Sequence, residues 1–212
     1  MNKNNEELQA LSEIRSLMER SSRFISLSGL SGVFAGLFAL LGVWIVCWRY
    51  NLSIWIPGYY QLAILDNGEL NTGFSLFVFA VAMGVLIASF LTGIILTKRK
   101  AKEQDQSIWD PIAKRLLINL MIPLITGGLF CLVLIYHGFV GLLAPVTLIF
   151  YGLALINASK YTLEDIRYLG ICEIILGLLA SYYIGFGLLF WAVGFGLFHI
   201  IYGIVMYKKY EA

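Results

Sequence analysis

From Leu116 to Tyr136 the chain carries no charged side chain. A run of about 20 apolar residues is what an α-helix needs to cross the hydrocarbon of a bilayer. Hydrocarbon offers no water to a backbone N–H or C=O, so a segment placed there satisfies its own polar groups as a continuous helix. The same pattern returns further on. From Tyr168 to Tyr207 there is one acid, Glu173, one histidine, His199, and no lysine or arginine. Composition agrees: 59% of the 212 residues are hydrophobic and 13% are charged, against about 25% charged in soluble domains. A transmembrane barrel would alternate apolar and polar residues in short strands, and this chain does not. The expected fold class is all-α, a polytopic membrane protein of six transmembrane helices.

The apolar runs place these helices at residues 24–48, 73–97, 111–136, 140–158, 163–183 and 186–207, a transmembrane domain of 24–207. A short tail, 208–212, follows. Residues 1–23 are polar, with Leu8, Leu11, Ile14 and Met18 at helical spacing and charges between them. That reads as a cytoplasmic amphipathic helix, lying at the interface or packed on another protein. The first apolar run is too long for a signal-peptide core and lacks a small-residue cleavage site, so it is expected to remain as an anchor. Asp110 and Pro111 are suited to open the third helix, and Thr162–Asp165 to cap the fifth. Asp66, Asn67 and Gly68 signal a turn between the first two helices, and residues 98–109 a basic loop before the third.

Basic residues set orientation, because they accumulate on the cytoplasmic side. With both ends inside, 15 lysines and arginines divide so that Arg49 alone lies outside. Tryptophans and tyrosines mark both interfaces, Trp48, Tyr50, Trp55, Tyr136, Tyr182 and Tyr183 outside and Trp109, Tyr161, Tyr168, Tyr207 and Tyr210 inside. Trp55, Tyr59 and Tyr60 read as an anchor in that outer belt.

Two readings of the helix sequences stand side by side. Arg23 and Arg115 precede Gly36 and Gly128 by the same distance, and Gly177 falls near the matching place after Arg167. Gly93, Gly152 and Gly203 each sit in similar triplets ahead of a lysine. This suits three related hairpins, an arrangement common where membrane proteins place sites at repeat interfaces. It also suits the general likeness of membrane helices rich in glycine and leucine. Ser28, Gly32 and Gly36 lie four apart, a spacing that lets helix backbones approach closely, within one chain or between two copies.

The stretch Ile14–Gly32, with its Glu19–Phe24 junction and the serine- and glycine-rich helix after it, resembles the opening of a family of small multi-pass inner-membrane proteins of Bacteroidota. The likeness covers about thirty residues. It implies a bacterial inner membrane and supplies no catalytic residues.

An ionisable group inside a membrane helix is costly and marks either function or a specific partner. Glu173 lies about 9 Å beyond Arg167 at helical rise, and His199 about 13 Å before Lys208. The short turn between the last two helices makes them antiparallel neighbours, so these two side chains can meet. Asn119 and Asn157 occupy the same half of the membrane. Pro123 cannot donate to the carbonyl of Asn119, and Pro145 likewise frees Gly141. A polar cluster of Ser28, Asn119, Asn157, Glu173 and His199, serving as a proton-linked or ion-linked site, is one reading. A structural pair that fixes helix register is the other.

No cofactor is expected. His137 and His199 lie at different depths and cannot hold haem between them. Asp66 and Glu69 read as solvated turn residues, and Cys47, Cys131 and Cys172 fall in separate apolar segments without metal spacing. No phosphate loop, zinc-protease motif or nucleophile signature is present. The net charge of +2 suggests no nucleic-acid partner. The expected partners are the lipid bilayer and a protein, which is a second copy or another chain. The first functional expectation is a non-enzymatic accessory, sensor or regulatory membrane protein. The alternative is a proton- or ion-coupled transporter or channel using Glu173 and His199.

Overall fold

The computed structural model describes residues 28–103 and 111–211. The amphipathic segment 1–23, most of the stretch that carries the family resemblance, and the Asp110 cap lie outside the described residues. Six long helices follow one another: α1 (Gly29–Tyr50), α2 (Thr72–Glu103), α3 (Pro111–Tyr136), α4 (Leu143–Ala158), α5 (Ile166–Tyr182) and α6 (Gly187–Tyr210). Extended pairing among the described residues is confined to one bridge, Ile64 with Leu70, where Gly68 turns the chain at φ 83°.

Five of the helices have the length and apolarity to cross a membrane, counting the helical turns that flank α4. α5 has 17 residues, about 26 Å at 1.5 Å per residue. The distribution of side chains is that of a multi-pass membrane protein. Leu76, Phe79, Leu86 and Phe90 of α2 point outward at 56–68% exposure, while glycines, a glutamate and a histidine are buried. Lipid solvates large apolar side chains as well as the core does, so helices associate through close packing at small residues instead.

The helices form two sets of three. α1 packs between α2 and α6, α4 packs between α3 and α5, and the first part of α6 touches α4 and α5 and so joins the sets. Glycine makes the close approaches. Gly36 of α1 is so near α6 that a Cβ there would stand 2.5 Å from the Gly196 carbonyl, and Gly32 faces the His199 carbonyl and Gly203.

Several boundaries differ from the sequence expectation. α1 starts at Gly29, with Ser28 before it in extended backbone. α2 runs on to Glu103, so residues 98–103 of the expected basic loop are helical. Lysine and arginine are good helix formers, and nothing stops the helix as it leaves the apolar layer. α5 begins at Ile166, and Asp165 gives no side-chain cap bond because its carboxylate is held by Lys209 and Tyr210. α6 is α-helical only at its ends. Ala192–Phe198 is a π-helical segment, which periodicity does not reveal.

Candidate functional site

α5 and α6 face each other at the depth of Glu173 and His199, and the two side chains meet there. Glu173 has no solvent exposure and His199 has 6%. His199 Nδ1 lies 3.4 Å from Glu173 Oε1 and 3.0 Å from the Gly194 carbonyl oxygen. Its Nε2 lies 2.7 Å from the Tyr151 hydroxyl, on α4. A carbonyl only accepts, so Nδ1 carries a hydrogen. In the neutral ring Nε2 is then the acceptor, and Tyr151 donates to it.

The π segment shapes the cradle. A π turn widens a helix locally, and such turns occur frequently at functional sites. The His199 N–H bonds to the Gly196 carbonyl, while the ring takes the carbonyl of Gly194. Gly194 also makes room for the acid. A Cβ there would stand 2.5 Å from Glu173 Oε2, 2.7 Å from Leu148 and 3.0 Å from Leu176. The carboxyl therefore lies against bare backbone between two leucines, and among the described residues neither of its oxygens has a hydrogen-bond partner. The Tyr202 hydroxyl, three residues beyond His199, is buried and likewise has no partner among the described residues.

Aromatic rings hold the imidazole from the other side. Trp191, Phe195 and His199 recur every four residues on α6, and Tyr151 packs against Phe195 at 5.0 Å and His199 at 5.3 Å between ring centres. The Trp191 indole donates to Thr147 Oγ1 at 2.9 Å, and Thr147 donates to the Ala144 carbonyl at 2.8 Å. Hydrogen bonds to α4 and α6 and these ring contacts thus fix the ring's rotation, with Glu173 of α5 alongside.

The remaining polar residues of the expected cluster lie elsewhere. Asn157 donates to the backbone carbonyl of Asn119 at 2.9 Å, the acceptor that Pro123 leaves without an N–H. The Asn119 amide itself donates to the Arg115 carbonyl at 2.8 Å. These bonds tie α4 to α3. Ser28 is buried at the start of α1, where it donates to Glu211 Oε2 at 3.1 Å. Glu211 also accepts from the Gly29 N–H at 2.5 Å and pairs with Lys100 at 3.2 Å. This junction joins α1, α2 and the end of α6 and is separate from Glu173.

Chemically, the arrangement is a hydrogen bond from Tyr151 to one imidazole nitrogen, with the Glu173 carboxyl 3.4 Å from the other nitrogen and not hydrogen-bonded to it. Among the described residues, no group of three His, Cys, Asp or Glu side chains is arranged to hold a metal. Sequence reasoning misses Tyr151 and Gly194. The spacing of Trp191, Phe195 and His199 is the available signal for them, since an aromatic face ending in histidine needs a polar partner on a neighbouring helix. No protein-family model, curated protein or solved structure matches this chain.

Proposed function

We propose that the chain is a bacterial inner-membrane protein with both ends of its six-helix domain in the cytoplasm, and that it acts as a small proton-linked carrier. The observation that carries the reading is Glu173, fully buried with both oxygens unpartnered among the described residues, next to an imidazole that α4 and α6 hold in place. Burying a neutral polar group without a hydrogen bond costs roughly 2–7 kcal/mol, and a charge costs more. A pair kept only for packing has no reason to leave that cost standing. A group that must accept and release a proton does, because its bonds have to change between states. Orientation rests on the basic residues, of which Arg49 is the outer exception. The inner membrane rests on that asymmetry and on the resemblance of the first helix.

The reading is non-enzymatic, with Glu173 and His199 as coupling groups and Tyr151 as the residue that orients the ring. A second reading, an accessory or sensor subunit that works through a protein, is favoured by one observation. The faces of α2 and α3 away from the rest of the molecule are open.

The test needs no knowledge of cargo. Infrared difference spectra of the protein in lipid, taken across roughly pH 5 to 8 where histidine sites titrate, should show a carboxylic-acid band that changes with pH. Glu173→Gln should lose that band and keep its helical circular dichroism. A parent spectrum with no titrating carboxyl band removes Glu173 from any proton-linked role. If the band titrates, flux of protons into liposomes separates a carrier from a sensor.

A further inference from the structure

Two of the helix seams are built on one pattern. In the first, α1 meets α6. A Cβ at Gly36 would strike the Gly196 carbonyl (2.5 Å) and Ile200 (2.6 Å), and one at Gly203 would strike the Gly29 carbonyl (2.7 Å) and Val33 (2.6 Å). In the second, α5 meets α4. A Cβ at Gly177 would strike the Pro145 carbonyl (3.0 Å) and Ile149 (2.6 Å), and one at Gly152 the Gly170 carbonyl (2.5 Å) and Ile174 (2.7 Å). The positions correspond one to one at identical spacing. Gly29, Val33 and Gly36 match Gly170, Ile174 and Gly177, while Gly196, Ile200 and Gly203 match Pro145, Ile149 and Gly152. Even the next turn agrees: Gly29 meets Tyr207 where Gly170 meets Ile156. General likeness of glycine-rich helices does not produce an interlock repeated at the level of single atoms.

Three hairpins in a ring have three such seams, and the third would join α2 to α3. The matching residues are Leu86, Phe90 and Gly93 on α2 and Met121, Ile125 and Gly128 on α3. These do not interlock. A Cβ added at Gly93 or Gly128 would meet nothing within 4 Å, and Leu86, Phe90 and Ile125 are 59%, 56% and 57% exposed. α2 and α3 make no contact comparable to the other two seams. At these positions the third seam keeps two glycines, Gly93 and Gly128, against four in the first seam and three in the second, so its sequence favours a looser closure.

We propose that a second copy of this chain completes the third seam, with α2 of each copy seated on α3 of the other across a twofold axis along the membrane normal. The repeat itself defines the complement of α2 as the face of α3, and that face is equally open. A twofold arrangement satisfies both faces of both chains at once and keeps each pair antiparallel, as α1/α6 and α4/α5 are. The contact places Gly93 beside α3 of the other copy and Gly128 beside its α2, the close approach that drives helix association in lipid. It does not depend on the proton-linked reading.

The experiment uses full-length chains in native membranes, with Cys47, Cys131 and Cys172 changed to serine. One chain carries Phe90→Cys and one tag; the other carries Ile125→Cys and a second tag. Oxidation should yield a product bearing both tags, and adding Gly93→Leu and Gly128→Leu should reduce it at least about tenfold, the effect of about 1.4 kcal/mol. No doubly tagged product overturns the proposal. So does a bond that forms only when both cysteines are on one chain, because the seam then closes within a monomer. Capture of a different protein by either cysteine, with no doubly tagged product, assigns the face to another partner and overturns it too. Circular dichroism of the leucine variants should match the parent, since both glycines face open space.

Discussion

Two acid–base pairs link α5 to α6, one at the end of the helices and one in the middle, and their construction differs at every point. At the end, Lys209 reaches both oxygens of Asp165 at 3.1 and 2.9 Å and Tyr210 adds a third bond at 2.6 Å. Both partners are open to water, with side chains 53% and 26% exposed. Partial burial works against the ionised Asp165, but the bonds from Lys209 and Tyr210 outweigh it and hold the carboxyl below its ordinary value of 3.8. In the middle, Glu173 is sealed from water and has a histidine at 3.4 Å, without a hydrogen bond to either oxygen. The end pair already holds the two helices in register at little cost. The inner pair is buried and lacks those bonds, and the proton-linked proposal rests on that contrast.

The largest effect that tests this contrast comes from His199→Ala. It removes the ring beside Glu173 and the acceptor of Tyr151, leaving the buried Tyr151 hydroxyl stranded. The emptied ring volume and the stranded hydroxyl together cost about 3 kcal/mol or more, to be read from unfolding of the protein in detergent. A loss below about 1 kcal/mol would mean that neither Tyr151 nor the packing depends on the ring, and the contrast between the pairs would fail. Gly194→Ala comes next. Its new methyl would press on Glu173 Oε2 and Leu148, and overpacking of this kind costs about 1–3 kcal/mol. Combining it with Glu173→Ala should recover part of that loss, because neighbouring changes do not add; strict additivity would place the strain elsewhere.

Asp165→Asn should do least. A surface pair contributes little, so the melting temperature should fall by about 2–4 °C at most at neutral pH. The sign of its pH dependence follows from the depressed carboxyl. Its contribution is present above the unfolded value near 3.8 and is lost as pH falls through the lower folded value. Parent and variant should therefore converge in acid. A gap that persists there would assign the effect to packing of Tyr210 instead of charge.

How far the sequence reaches depends on which physical quantity a residue encodes. The ends of α3 are legible because Pro111 suits a first helical turn and His137–Gly138 break the helix, with Gly138 at φ 77°. Depth is legible too, since counting from Arg167 and Lys208 puts Glu173 and His199 at similar levels. Rotation is not, because hydropathy carries no azimuth for a helix that is apolar all round. The clue to rotation lies in the glycines, and a glycine such as Gly194 has meaning only once its neighbour is known. Ser28 shows the opposite failure. Its place near the end of an apolar run suggests membrane depth, yet it sits where α1 begins and bonds to Glu211, a residue from the far end of the sequence. Asn157 shows where local rules suffice: proline leaves the Asn119 carbonyl without a donor, and the nearest amide on α4 supplies one.

The seam between α1 and α6 also constrains how the molecule is made. Its two helices are separated by all the others, so the ribosome releases α1 long before its partner exists. Until then the Gly29, Gly36 face lacks the helix it packs against. The α1/α6 seam therefore closes only after the chain between its two helices has been made.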